Sequence, residues 1–538
     1  MAPHDAGMTV RGAAAVGAGL APARDARPIE PGERIHVVGA AGAGASAAAL
    51  LASWAGASVD GCDPGGPSPY TPALAAQGIP VAERHDPAHV TAAAARPARL
   101  AVTKALTAID PDNAELRAAR DASVPLEPWQ QVVADAAASR TLVAIAGTHG
   151  KSTTAGWLVH VLAEGGADPG AFVGALLPAA LTGIAVAATA RRGAGAPFVV
   201  EADEYAGNFD AYRPSVAVLT SAEWDHPDVF PDRDAVLATF EGWIRRIAGA
   251  DGPSGPGSLP VLVANVADDG VAELAARLGE WPGRIVATAL VDVEPQRAGT
   301  FARGIADRFG TASGPATVLL GRITAADPDA TRVDLLGLDP LAGPVSARLP
   351  TAGRHNAANA LGVAGAAAAV GLDPGAIVRG LAGFGGVGRR LERKGEALGV
   401  VVYDDYGHHP TAIRETLAAV RQREPGRRTW AVYEPLTFHR TAALLDAFAE
   451  VLAAADGVAI ADIWAGRDPD TTIASAAGLA QAVARRAPRI PVAAPGTVEE
   501  TARWLAGEVR SGDAVLVMGG GRSYRIGELL LEHLEAAR

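Results

Sequence analysis

The chain has 538 residues, too many for one hydrophobic core, and at about 150 residues per domain it should divide into three. Hydrophobic residues make up 49% and charged residues 20%, the balance of a globular protein, and a net charge of −12 without a basic run argues against a nucleic-acid partner. Cys62 is the sole cysteine, so no intrachain disulfide can form, as expected of a cytoplasmic protein. The uncharged stretch 40–58 is too rich in Gly and Ala for a membrane span, and no membrane partner is expected.

Residues 11–23 (RGAAAVGAGLAPA) loosely resemble a signal peptide, but their apolar part holds a single leucine; residues 1–32 are expected to be a disordered tail. The first folded segment, 33–138, opens with a strand from Ile35 to Val38 that runs into GAAGAGASAA. Gly42, Gly44 and Ala47 match the G-x-G-x-x-G/A turn, and Asp63 follows 21 residues after Gly42, placed for a ribose hydroxyl. This turn does not separate NAD from another nucleotide. The stretch 100–116 reads as strand-like.

The second segment, 139–384, begins with an apolar strand from Thr141 to Ile145 and the nonapeptide AGTHGKSTT at 146–154. A helix follows, with Ala155, Leu158, Val159 and Leu162 at i, i+3, i+4 and i+7. Strand, glycine loop, lysine, hydroxyl and helix in this order form a phosphate cradle. The N–H groups of Gly147, Thr148, His149 and Gly150 would meet phosphate oxygens, Lys151 would neutralise charge, and Ser152 or Thr153 would reach Mg²⁺. The chain keeps three lysines, Lys104, Lys151 and Lys394, against 44 arginines, so a compact ammonium at 151 is a selective choice. The loop predicts a nucleoside triphosphate, although Ile145 stands where the pattern GxxxxGK[ST] needs glycine.

Two later strands end in candidate metal ligands: FVVEADEY (198–205) in Glu201, Asp203 and Glu204, and VAVLTSAEWDHPD (216–228) in Glu223, Asp225 and His226. Residues 181–197 and 248–260 read as exposed loops, 282–348 as a β-rich portion, and GRHNAANA (353–360) as a helix start. The third segment, 385–538, carries GGVGRRLERKGE (385–396) and a strand that ends in DDYGHHP. Adjacent His408 and His409 would point to opposite faces of a strand, which argues against a shared metal. A further strand leads to Thr437 and Arg440, and VLVMGGGRSYRIG (515–527) runs into a glycine turn.

GTHGKST, EADEY and DDYGHHP, in this order, resemble the Mur ligase family, ATP-dependent enzymes that add amino acids to the cell-wall precursor. DDYGHHP, RRLE and the absence of lysine between 151 and 394 resemble its L-alanine-adding branch, since several siblings use a carbamylated lysine in that interval. The resemblance implies an α/β protein of three domains: a Rossmann-like UDP-binding domain, a central P-loop ATPase domain and a Rossmann-like C-terminal domain. It implies ATP and Mg²⁺ as cofactors and UDP-N-acetylmuramate and L-alanine as substrates. By the same resemblance Asn356, with Asn359, meets the adenine, Arg390 reaches the ATP phosphates and Asp405 faces the nucleotide. Ser152, Glu201 and His226 hold Mg²⁺. Gly42, Gly44, Ser46, Asp63, His85, Thr103 and Arg440 serve the UDP substrate, and Lys151, Arg390 and His408 serve catalysis. Ala41, Ser221 and Thr437 depart from the family's glycine, asparagine and arginine. A recycling ligase of the same family, which attaches a whole tripeptide, and a nucleotide-binding scaffold are the alternatives. Ligands from separate domains imply closure on binding, so the unliganded chain should be open.

Overall fold

The computed structural model describes residues 12–92, 96–247, 259–293, 295–339, 343–466, 468 and 470–537. The first sheet is built from β1 (Arg34–Val38), β2 (Ser58–Cys62), β3 (Val81–Ala82), β4 (Arg99–Val102) and β5 (Leu126–Pro128). All its pairings are parallel and its order is β3-β2-β1-β4-β5, a doubly wound arrangement with the crevice at the end of β1.

The second sheet takes β6 (Thr141–Ala146), β7 (Gly170–Leu177), β8 (Ala188–Arg191), β9 (Pro197–Glu201), β10 (Val216–Leu219), β11 (Val261–Asn265), β12 (Arg284–Leu290), β13 (Thr317–Asp327), β14 (Ala330–Asp339) and β15 (Gly343–Leu349). Its order is β15-β14-β13-β12-β11-β10-β6-β9-β7-β8, so β6 lies between the two strands that end in carboxylates. Continuous apolar runs such as TLVAIA suit this position, because a parallel strand covered on both faces has no polar side. The helix Lys151–Glu164 that follows β6 is buried almost throughout, with Trp157 fully enclosed and stacked on Phe384 at 4.8 Å.

The third sheet, β16 (Glu392–Ala397), β17 (Val400–Asp405), β18 (Arg428–Glu434), β19 (Gly457–Ala461), β20 (Val492–Gly496) and β21 (Asp513–Gly519), has order β16-β17-β21-β18-β19-β20 and is parallel apart from its β16 edge. The expected three-domain α/β class holds.

Several local expectations do not. The tail 1–32 was expected to be disordered, yet from Gly12 onward it is built into the first domain; residues 1–11 lie outside the described residues. Val16 is buried, Ala21 donates its N–H to the Leu126 carbonyl at 2.7 Å, and Arg24 pairs with Glu127 at 2.8 Å and Asp135 at 2.7 Å. The strand expected over 100–116 stops at Val102, where Thr103 accepts the N–H of Ala105 and caps the helix Lys104–Ile109. Within the expected loop 181–197, β8 pairs antiparallel with β7 because Ala188, Thr189 and Ala190 are small enough to be buried there. The loop expected over 248–260 lies outside the described residues up to 258. The β-rich portion 282–348 is as expected, with one helix, Pro295–Arg308, inserted. Among the described residues no helix is long and apolar enough to cross a membrane.

Candidate active site

The carboxyl edges of the three sheets meet at a cleft of about 1210 Å³, lined among others by Gly42, Tyr70, Thr153, Asn356, Arg390 and Asp405. The loop after β6, whose helix gives Thr153 to the cleft wall, bends through Gly147 at φ 131° and Gly150 at φ 81°. A Cβ at Gly147 would lie 2.3 Å from Thr220 Oγ1, and one at Gly150 would lie 2.6 Å from Asn359 Oδ1. Both positions are left-handed and crowded, so glycine is needed at each. The loop is tied down by Thr148, which donates to the Glu223 carbonyl at 3.1 Å, and by Ser221, whose Oγ accepts the His149 N–H at 2.8 Å. Serine at 221 therefore holds the loop.

Lys151 bridges this loop to the β9 carboxylates: its Nζ donates to Gly147 O at 2.5 Å and to Glu204 Oε2 at 3.1 Å, and lies 3.8 Å from Asp203. Burial disfavours the ammonium, but Glu204, Asp203 and Glu201 outweigh it and hold Lys151 above its usual range. Glu204 itself is pushed up to about 7 by burial, with help from the Asp203 charge and in spite of Lys151.

The expected Mg²⁺ set divides into two. Ser152 Oγ donates to Glu201 Oε1 at 3.0 Å, while the other Glu201 oxygen accepts the Gly174 N–H at 2.6 Å. His226 instead clusters with Asp203 and Glu204, their ligand atoms within 4.8 Å of one another. Asn356, expected at the adenine, lines the cleft and donates its amide N–H to Ala352 O at 2.8 Å, and Asn359 turns its amide N–H to Asn356 Oδ1 at 3.3 Å, beneath Gly150.

The third domain reaches this site directly. Arg390 Nη2 donates to Ser152 Oγ at 2.8 Å, its guanidinium lies over the Tyr406 ring at 5.1 Å, and its Nε is buried without an acceptor. Its neighbours Arg389 and Leu391 are left-handed, at φ 57° and 49°. Asp405 holds that segment, accepting the N–H groups of Leu391 and Gly407 at 2.7 Å each. Arg440, fully buried, donates from Nε to Asp225 Oδ1 at 2.8 Å, and its Nη2 lies 3.2 Å from His226 Nδ1. Burial opposes the ionised form of Asp225, but Arg440 holds it well below the usual carboxylate range. Arg440, expected on the UDP substrate, is thus committed to a cross-domain ion pair, and Thr437 caps its helix by accepting the Arg440 N–H at 3.4 Å.

His408 and His409 do not lie on a strand: β17 ends at Asp405, and His409 caps the helix Pro410–Arg423. His408 Nδ1 lies 3.0 Å from the Tyr406 carbonyl, which can only accept, so Nδ1 carries the proton and Nε2 has a free lone pair. Burial and the Arg440 charge keep this imidazole neutral, well below its ordinary range. The domains are in direct contact, where an open arrangement was expected. Besides the Arg390 and Arg440 contacts, Thr411 donates to Glu223 Oε2 at 2.7 Å, and Gln422 accepts the Gly353 N–H at 2.8 Å. Thr411 and Gln422 escaped the sequence reading, because a hydroxyl and an amide on a helix carry no signal beyond a solvated face.

In the first domain Gly42 lines the cleft, and Ser46 Oγ sits 3.2 Å from Thr189 Oγ1 of the central domain. Asp63 accepts the Ala41 N–H at 3.0 Å and the Gly65 N–H at 2.9 Å, so it braces the turn that contains Gly44. Ala41 has no left-handed φ, which is why a methyl group fits there. His85 turns onto Cys62, Nδ1 to Sγ 3.2 Å, and its polar contacts are with that thiol and Glu115.

A family model described as Mur ligase family, catalytic domain, matches residues 34–141, and one described as Mur ligase, glutamate ligase domain, matches 389–521. The UDP-N-acetylmuramate–L-alanine ligase of Frankia casuarinae is 35% identical over 522 residues, covering 93% of this chain and 98% of the relative. The chain belongs to the Mur ligase family. This Mur ligase is also 37% identical over 507 residues to the ligase of the same description from Kineococcus radiotolerans, covering 93% and 96% of the two chains. Its fold is that of the UDP-N-acetylmuramate-alanine ligase of Thermotoga maritima, with TM-score 0.71 at 20% identity over 94% of this Mur ligase and 100% of that chain. The murein peptide ligase of Psychrobacter arcticus superposes with TM-score 0.65 at 24% identity over 94% and 99%.

Proposed function

We propose that this Mur ligase uses ATP to join the amine of L-alanine to the carboxylate of UDP-N-acetylmuramate, a step in peptidoglycan precursor synthesis. The observation that carries the reading is identity of 35% across 93% of the chain to ligases of that description, with the phosphate loop and its cross-domain arginine intact. A carboxylate resists amine attack until one oxygen becomes a leaving group. Transfer of the ATP γ-phosphoryl to it gives an acyl phosphate, the alanine amine adds to the carbonyl carbon, and phosphate leaves from the tetrahedral intermediate.

In this reading Gly147 to Thr153 cradle the phosphates, and Lys151 and Arg390 neutralise charge on the transferring group. Asn356 meets the adenine. The free Nε2 of His408 is positioned to take a proton from the attacking amine. Gly42, Gly44, Ser46, Asp63 and Thr103 form the UDP end, while Arg440 holds Asp225 beside His226 in the central domain. The oxygen-rich set around Lys151 fits Mg²⁺, because Asp203, Glu204 and His226 bring their ligand atoms within 4.8 Å of one another beside the phosphate loop. Asp203, Glu204 and His226 would hold the ion with Ser152 and Glu201 alongside, and it would supply positive charge to the phosphate oxygens. The three sheets support divisions at 138/139 and 384/385, and the first unit, expected over 33–138, also takes in the stretch from Gly12. A reaction that consumes ATP and a UDP-sugar fits a cytoplasmic enzyme.

The test is phosphate release by the purified protein with ATP, Mg²⁺ and UDP-N-acetylmuramate, offering L-alanine and the murein tripeptide separately. Release with L-alanine that is lost in Lys151→Ala supports the proposal. Release with the tripeptide alone moves the chain to the recycling activity. No release with either acceptor, while ATP still binds, overturns the reading in favour of a scaffold.

A further inference from the structure

The first domain holds a second cluster of chemically competent side chains, away from the ATP site, that the ligase reaction does not use. His36 on β1, Cys62 at the end of β2, His89 on the helix Ala88–Thr91 and Glu115 on the helix Ala114–Asp121 turn their donor atoms toward one point, all within 4.8 Å of one another. His36 Nε2 lies 2.9 Å from Glu115 Oε1 and 3.4 Å from Cys62 Sγ. Cys62 Sγ lies 3.3 Å from Glu115 Oε2, and His89 Nδ1 lies 3.0 Å from Glu115 Oε1. Bonds of about 2.0–2.3 Å to a tetrahedral zinc ion place its ligands roughly 3.3–3.7 Å apart, a few tenths of an ångström from these separations.

We propose that His36, Cys62, His89 and Glu115 form a binding site for a zinc-class divalent cation that braces the substrate end of the first domain. Thiolate and imidazole donors select zinc over magnesium. One thiolate, one carboxylate and two neutral imidazoles balance a dication, so the occupied site carries no net charge in a buried place. The outer contacts are those of a metal site as well. Asp60 lies 2.7 Å from His36 Nδ1, leaving Nε2 for the metal, as in the carboxylate–histidine–metal arrangement. Cys62, Glu115 and His36 are enclosed, while His89 and His85 have side chains 23% and 15% exposed and form the entry.

Without a cation the cluster is a hydrogen-bonded network. His36 Nε2, Cys62 Sγ and His89 Nδ1 all meet the Glu115 carboxylate, which is the hub of that network. The consequence for the fold is local. The Cys62 carbonyl accepts the N–H groups of Gly39 at 2.8 Å and Ala40 at 3.1 Å, and Asp63 holds Ala41. Fixing Cys62 fixes the floor of the glycine turn.

Because Cys62 is the sole cysteine, a thiolate-to-cobalt charge-transfer band in the near ultraviolet reports this site and no other. Full-length protein freed of metal would be titrated with Co²⁺ alone, followed by displacement with Zn²⁺. The expected result is a band that saturates at a single equivalent, is abolished in Cys62→Ser and His89→Gln, and persists in Asp60→Asn with affinity weaker by about 10- to 100-fold. Absence of the band in the wild-type protein, which needs no variant to fold, overturns the proposal. Tight zinc retention equal in wild type and Cys62→Ser overturns it too.

Discussion

Arg390 and Ser152, 238 residues apart in sequence, are joined by a hydrogen bond of 2.8 Å from guanidinium to hydroxyl. The contact puts a cation from the third domain on the first helical turn of the phosphate loop, with the buried Nε still free for an anion. Arg390→Ala should lower kcat by roughly 10²–10³-fold, the usual effect of deleting a donor aimed at transition-state charge, with little change in ATP KM. Phosphate-release kinetics across ATP concentrations check this. An equal rise in KM would show that Arg390 binds ground-state ATP instead.

The Arg440–Asp225 pair is buried on both sides, each residue being 3% exposed. Removing one partner strands the other charge, so Arg440→Met should cost about 3–5 kcal/mol in the stability measured by urea denaturation. Adding Asp225→Asn to it should recover part of that loss. A double variant as unstable as the sum of its singles would mean that the two residues act separately.

Thr437 sits at φ 65° and ψ 145°, a region in which a β-branched residue is strained. Glycine removes the strain, worth about 1–3 kcal/mol, and gives up only a few tenths as a helix cap. Thr437→Gly should therefore raise the urea midpoint of the protein, and a lowered midpoint would show that the hydroxyl matters more than the backbone.

Burial pushes Glu434 from its ordinary 4.5 up to about 7. A folded value above the unfolded one means that the contribution to stability is complete below pH 4.5 and lost as pH rises through 7. Glu434→Gln has no such titration, so its melting temperature relative to wild type should rise from pH 5 to pH 8. The upper limit of the change is on the order of 3 kcal/mol. Parallel melting curves for the two proteins over that range would contradict this.

The phosphate loop was legible in the sequence because its chemistry is local: glycine, lysine and hydroxyl at fixed spacing between a strand and a helix. The order of the domains followed from three such motifs in series. What the sequence hid is long-range pairing. Nothing near Arg440 shows that its guanidinium ends on Asp225, and nothing near Gln422 shows that its amide meets Gly353. The ordered stretch from Gly12 was concealed in the same way, since Arg24 is held by Glu127 and Asp135 from more than a hundred positions away. Cys62 read only as a sole cysteine without a disulfide partner, because its neighbours His36, His89 and Glu115 come from three other elements.

Arg389 and Leu391, the left-handed residues on either side of Arg390, lie where the chain passes from the central sheet to β16. Two consecutive reversals of backbone hand around a single residue leave its side chain little choice of direction, so the place of the Arg390 guanidinium on Ser152 is set by the path of the main chain as much as by the hydrogen bond itself.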